Sequence, residues 1–151
     1  MNYSLEEIEN SEFIKKTFEF WFETNGHIRS PFPLYVIPMV KESAILQFQE
    51  WINKLPKKAE KEIDDTVVCE KFEEILFELG SHFVKTEDEK ITLKYPFLPR
   101  IGDPINKSIE HNNSEVIFRK VLTEKDNKHL LIRAKEIETK QTWETKIELP
   151  I

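Results

Sequence analysis

The sequence predicts an α+β fold, an N-terminal three-helix segment packed on a C-terminal antiparallel sheet of about five strands. Large apolar side chains recur at three- and four-residue intervals from 5 to 79, and at every second position from 115 to 149. The period changes at Gly80, and a glycine at the end of a periodic run is a helix stop. At 151 residues the chain fits one α+β domain, 1–151, long enough to bury roughly 70% of its unfolded surface with no disulfide or metal.

The first helix starts at Leu5. Ser4 and Glu7 form a capping box, with Tyr3 placed to staple on Ile8. Its stripe runs through Leu5, Ile8, Ile14, Phe18, Trp21 and Phe22, and Asn25-Gly26 supplies a left-handed stop; Phe13 and Phe20 lie off the stripe. From His27 to Val40, Pro31, Pro33 and Pro38 hold the chain extended, since proline lacks the amide donor and restricts its predecessor. The apolar content of that stretch lays it on the core.

A second helix is expected from about Lys41 to Asn53, presenting Ile45, Phe48, Trp51 and Ile52. Asp64, Asp65 and Thr66 are competent caps for a third, whose stripe is Val68, Phe72, Ile75, Leu76 and Leu79 and whose end is Gly80. Ser81 to Lys85 and Lys90 to Tyr95 alternate well enough for a hairpin around a charged turn at Thr86 to Glu89.

No period persists from Pro96 to Ser114, where Asp103 and Pro104 suit a short helical turn through His111. Three strands follow, at about 115–123, 128–137 and 142–149, turning at Asp126-Asn127 and Thr139-Lys140. Pairing Ile137 with Thr142 collects Leu130, Ile132, Ala134, Trp143, Ile147 and Leu149 on the core face. The opposite face then carries Arg133, Lys135, Glu144, Lys146 and Glu148. In the strand before them two apolar sets compete; placing Phe118 inward sends Arg119 outward, beside Arg133.

Charge and composition narrow the function. With 28 acidic against 22 basic residues, a net charge of −6 disfavours nucleic acid and anionic membranes and favours basic partners. The lone Cys69 has no partner for an internal bridge, the acidic N-terminus is unlike a signal peptide, and no apolar run approaches the ~20 residues of a membrane span. The expected location is the cytoplasm.

No catalytic, cofactor-binding or metal site is expected. Three glycines, scattered, build no phosphate-cradling loop, and His27, His82, His111 and His129 fall singly in separate segments. Cys69 sits near Asp65 and Glu70, which oppose a thiolate, and the glutamate pairs Glu6-Glu7 and Glu73-Glu74 read as solvated helix faces.

Three features point to recognition instead. Phe18, Phe20, Trp21 and Phe22 subtend more than one apolar stripe, so this helix is either covered on two sides or offers a partner-binding edge at Phe20. Arg119 and Arg133, two of four arginines, would stand opposed on the outer sheet face and call for a carboxylate, internal or from a partner. The proline-flanked loop Arg100 to Asp103 is either a binding loop or a self-closed turn.

These observations favour a non-enzymatic protein-interaction module, an acidic adaptor, assembly component or inhibitor-like protein that binds another protein. The alternative is a small-molecule-binding protein or weak enzyme, its pocket between the helices and a curled sheet, lined by Trp143, Phe118 and Phe48 with Arg100, Asp103 or His82. Self-association through the edge of the sheet is a third reading.

Overall fold

The computed structural model describes residues 3–23, 29–59, 62–106 and 113–150. The fold is α+β: among these residues are five helices and one curled antiparallel sheet of four strands. Contacts divide the chain into two compact units, 1–96 and 97–151.

The first unit is helical. α1 (Leu5–Glu9) begins where the capping box placed it, with Ser4 Oγ accepting from the Glu7 amide at 3.1 Å. It ends at once, because Ser11 caps a new helix, α2 (Glu12–Phe22), by accepting from Ile14 N at 3.2 Å. One expected helix is therefore two. The Asn25-Gly26 stop lies outside the described residues, and α2 ends before it.

α3 (Ile37–Asn53) starts four residues earlier than expected, with Pro38 in its first turn. There the missing amide costs nothing and the fixed φ favours the helix. α4 (Asp65–Phe83), capped by Asp64, runs straight through Gly80. This glycine is no stop: a Cβ on it would lie 2.6 Å from Phe32 Cε1 and 3.2 Å from Leu93 Cδ1, so it makes room for both side chains. The hairpin expected at 81–95 is absent. Its first strand is the end of α4, and its charged turn is the start of α5 (Glu87–Lys94), where Thr86 and Glu89 cap each other's backbone. That reciprocal cap outweighs the two-residue spacing of Ile91 and Leu93.

Aromatic rings fill this unit. Phe72, fully buried, meets Phe13, Phe18 and Phe48 at centroid separations of 5.7, 5.5 and 5.2 Å. Phe32 is wedged between Phe22 (4.9 Å) and Phe77 (5.1 Å). Phe13, off the expected stripe, is thus partly buried and packs against the core.

The second unit is a meander in the order β1-β2-β3-β4, with β1 Pro104–Ile105, β2 Ser114–Glu124, β3 Asn127–Glu136 and β4 Thr142–Glu148. Among the described residues the strand count is four, not five, since the hairpin is helical and Pro104 opens a short strand on β2; the rest of the turn expected through His111 lies outside the described residues. The first turn is Lys125-Asp126, one residue earlier than expected, with Lys125 at φ 52°.

Lys135 rather than Ile137 faces Thr142. A shift of two residues keeps the face parity, so Leu130, Ile132, Ala134, Trp143 and Leu149 are buried together as expected. β2 behaves otherwise. Val116 pairs with Ala134 but Phe118 pairs with Arg133, so Ile117 is the extra residue of a bulge. The bulge reverses parity midway, and both Val116 and Arg119 come to the buried face.

Candidate functional site

The helical unit contains a pocket of about 580 Å³. It exists because α1 is short and held at one end. The Tyr3 amide donates to Asn53 Oδ1 at 2.9 Å, while Asn53 Nδ2 and Gln49 Nε2 donate to the Tyr3 carbonyl at 3.1 and 3.0 Å. This clamp fixes α1 on α3, and the break at Asn10-Ser11 turns the chain away into α2. Between them Phe13, Phe48, Ile52, Val68 and Ile8 form apolar walls, and Phe13 and Phe48 lie 6.2 Å apart.

The remaining lining residues are Tyr3, Ser11 and two carboxylates, Glu7 from the first turn of α1 and Asp65 from the first turn of α4. Both carboxylates are exposed, and none of the described lining residues is basic. The site is an apolar hollow with a negative rim.

Of the residues singled out in the sequence, Phe48 lines this pocket and Phe20 lies elsewhere on α2. Phe20 is 47% exposed and packs edge-on against Trp21 at 4.9 Å, so the aromatic helix is covered on one side and open at Phe20. Tyr3, Glu7, Ser11 and Asp65 carry no shared signal in the sequence. Ser11-Glu12 was a readable second cap that would have separated α1 from α2, but no local pattern joins residue 7 to residue 65.

The two arginines part company. Arg119 is 4% exposed, opposes Ile132, and donates from Nη1 to the Pro99 carbonyl at 3.0 Å. The expected outward position beside Arg133 is wrong because of the bulge. Phe118 takes that place, 40% exposed, with the Arg133 guanidinium 5.3 Å above its ring. Arg133 also donates from Nε to Glu144 Oε1 at 3.0 Å, so the internal carboxylate considered in the sequence is present.

The Arg100 to Asp103 loop closes on itself. Asp103 Oδ2 accepts from the Arg100 amide at 2.8 Å, and the Asp103 amide donates to the Arg100 carbonyl at 2.9 Å. Gly102, at φ 93°, donates to Val116 O at 2.8 Å, tying the turn to β2. Asp103 thus closes a turn rather than capping a helix.

Burial pushes the Cys69 thiol pKa up, and its hydrogen bond to Glu73 Oε1 (3.2 Å) and the charges of Glu73 and Glu70 add to the rise. That is the opposite of an activated nucleophile. Among the described residues no group of three or more His, Cys, Asp or Glu is placed to hold a metal ion, and no helix is long and apolar enough to cross a membrane. Comparison with family models, curated proteins and solved structures gave no match.

Proposed function

We propose that the protein is a non-enzymatic interaction module that binds a basic, apolar segment of a partner protein in the pocket beside α1. One observation carries this reading: five apolar side chains form the walls while Glu7 and Asp65 stand at the rim, and none of the described lining residues is basic. An apolar side chain entering the hollow gains roughly 25 cal/mol for each Å² removed from water. A Lys or Arg next to it lays its aliphatic stem on the wall and its charged head by a carboxylate. The net charge of −6 draws such a partner in from a distance.

A second reading, a small organic amine, is favoured by the volume of about 580 Å³, which suits a single ligand. Titration of the full chain with short peptides pairing Leu or Phe with Lys or Arg, followed by amide NMR, separates the two. Expected are shifts at Ile8, Phe13, Ile52 and Val68, lost when Lys is replaced by Glu in the peptide. Asp65→Asn combined with Glu7→Gln is expected to weaken binding about tenfold. Shifts with arylalkylamines but not peptides would favour the small ligand, and indifference to peptide charge would remove the proposal.

A further inference from the structure

β4 is the last strand of the sheet, and among the described residues nothing pairs with its outer edge. Two hydrogen bonds define that edge: Leu149 N donates to Lys128 O at 2.9 Å, and Glu136 N donates to Gln141 O at 2.8 Å. In an antiparallel ladder, residues alternate in the neighbour their backbone faces. The odd residues 141 to 149 therefore bond to β3, and Thr142, Glu144, Lys146 and Glu148 turn their amides and carbonyls to the open edge.

We propose that this edge pairs with the same edge of a second copy of the chain, antiparallel, about a two-fold axis through Thr145. The sequence Thr142-Trp-Glu-Thr-Lys-Ile-Glu148 is complementary to itself about that centre. Glu144 meets the partner's Lys146, Lys146 meets the partner's Glu144, and on the other face Trp143 meets the partner's Ile147. The edge-facing residues fall opposite one another, Thr142 to Glu148 and Glu144 to Lys146, so the ladder closes with about eight backbone hydrogen bonds.

Neighbouring registers are rejected by charge. An axis through Glu144 sets that carboxylate against its own copy, and an axis through Lys146 sets Lys146 against Lys146 and Glu144 against Glu148. The side chains are available, Glu144 48% and Lys146 49% exposed. Arg133 already holds Glu144, and Glu124 holds Lys146 at 3.1 Å, so pairing joins them into the alternating row Arg133, Glu144, Lys146, Glu124 across the axis. A lone edge lysine discourages strand addition, whereas one matched by a carboxylate in the arriving strand directs it.

Light scattering on the full chain tests this. The expected mass is twice 18.0 kDa. Lys146→Glu alone and Glu144→Lys alone each place like charges opposite and are expected to weaken dimerisation about tenfold or more. Mixed in equal amounts they restore opposite pairs, and the dimer returns. Amide exchange on the wild-type chain gives a reading that needs no variant: on dilution Glu144 and Lys146 lose protection while Thr145, bonded to β3, keeps it. A monomer up to about 1 mM overturns the proposal. So does a dimer that ignores both substitutions, or a second strand donor other than this chain on the β4 edge.

Discussion

Among the described residues of 1–96 the buried set is apolar apart from Thr17, whose hydroxyl bonds back to the Phe13 carbonyl at 2.9 Å within its own helix. In residues 97–151 the buried set includes Ser114, Arg119 and Glu136, each on the sheet face that also carries Leu130, Ile132 and Ala134. These groups have directed partners: the Trp143 indole donates to Ser114 Oγ at 2.9 Å, Arg119 donates to Pro99 O, and Thr139 donates to Glu136. Burial of rings is tolerant of angle, while a buried hydrogen bond is not. The helical unit is thus specified by volume and the sheet unit by register and polar pairing.

The largest expected effect breaks the first half of that contrast. Phe72→Ala removes the ring that joins Phe13, Phe18 and Phe48, and about 3–5 kcal/mol of unfolding free energy should go with it. Chemical denaturation measures this; a loss below about 1 kcal/mol would mean the aromatic cluster is not the core of the unit.

The sheet unit should respond to a far smaller change of shape. Ser114→Ala leaves the buried indole donor without its acceptor and is expected to cost about 1–3 kcal/mol. Trp143→Phe should cost a similar amount. The double variant is expected to lose less than the sum, because neither orphan then remains. Additive losses would show that the pair acts by volume alone, which would erase the distinction between the units.

Gly80→Ala comes next. Alanine gains about 1 kcal/mol over glycine in a helix interior, and a lone exposed site would be stabilised. Here the new methyl meets Phe32, whose ring is in contact with Phe22 and Phe77. Overpacking of about 1–3 kcal/mol outweighs the gain, so a net loss of stability is expected. Stabilisation in a thermal melt would mean that Phe32 yields and that the helical core is softer than its packing indicates.

The same contrast accounts for what could be read in advance. The meander's faces were legible because Leu130, Ile132, Ala134 and Trp143 keep a strict two-residue period, and even a register error of two residues left them correct. β2 was not legible: its bulge at Ile117 has no glycine or proline to mark it, and the choice between Phe118 and Arg119 was made by pairing with β3. In the helical unit the stripes were visible but their ends were not. Gly80 looked like a stop because its reason, the Phe32 ring, lies 48 positions away in sequence. In the sequence Pro38 suits a helix breaker and Thr86 a turn, although each also suits a helix start. The pocket has no local signature because it needs residues of α1, α2, α3 and α4 together.

The smallest expected effect lies at a cluster of directed hydrogen bonds on the surface of the helical unit. Glu89 accepts from the Tyr35 hydroxyl at 2.7 Å and, at its other oxygen, from the Thr86 hydroxyl (2.9 Å) and the Thr86 and Lys85 amides (3.0 and 3.2 Å). Burial alone would raise its pKa, but these hydrogen bonds together hold the carboxyl below its usual range. A depressed folded pKa favours the native state above the unfolded value of about 4.3, and that contribution disappears as pH falls through the folded value. Wild-type stability should therefore fall more steeply than that of Glu89→Gln below about pH 4.3. Because the cluster is at the surface, the difference should be modest beside the loss from Phe72→Ala. Parallel acid limbs in denaturant midpoints would show that Glu89 adds nothing directional. A separation as large as the Phe72→Ala loss would mean that the helical unit, like the sheet, depends on a polar anchor.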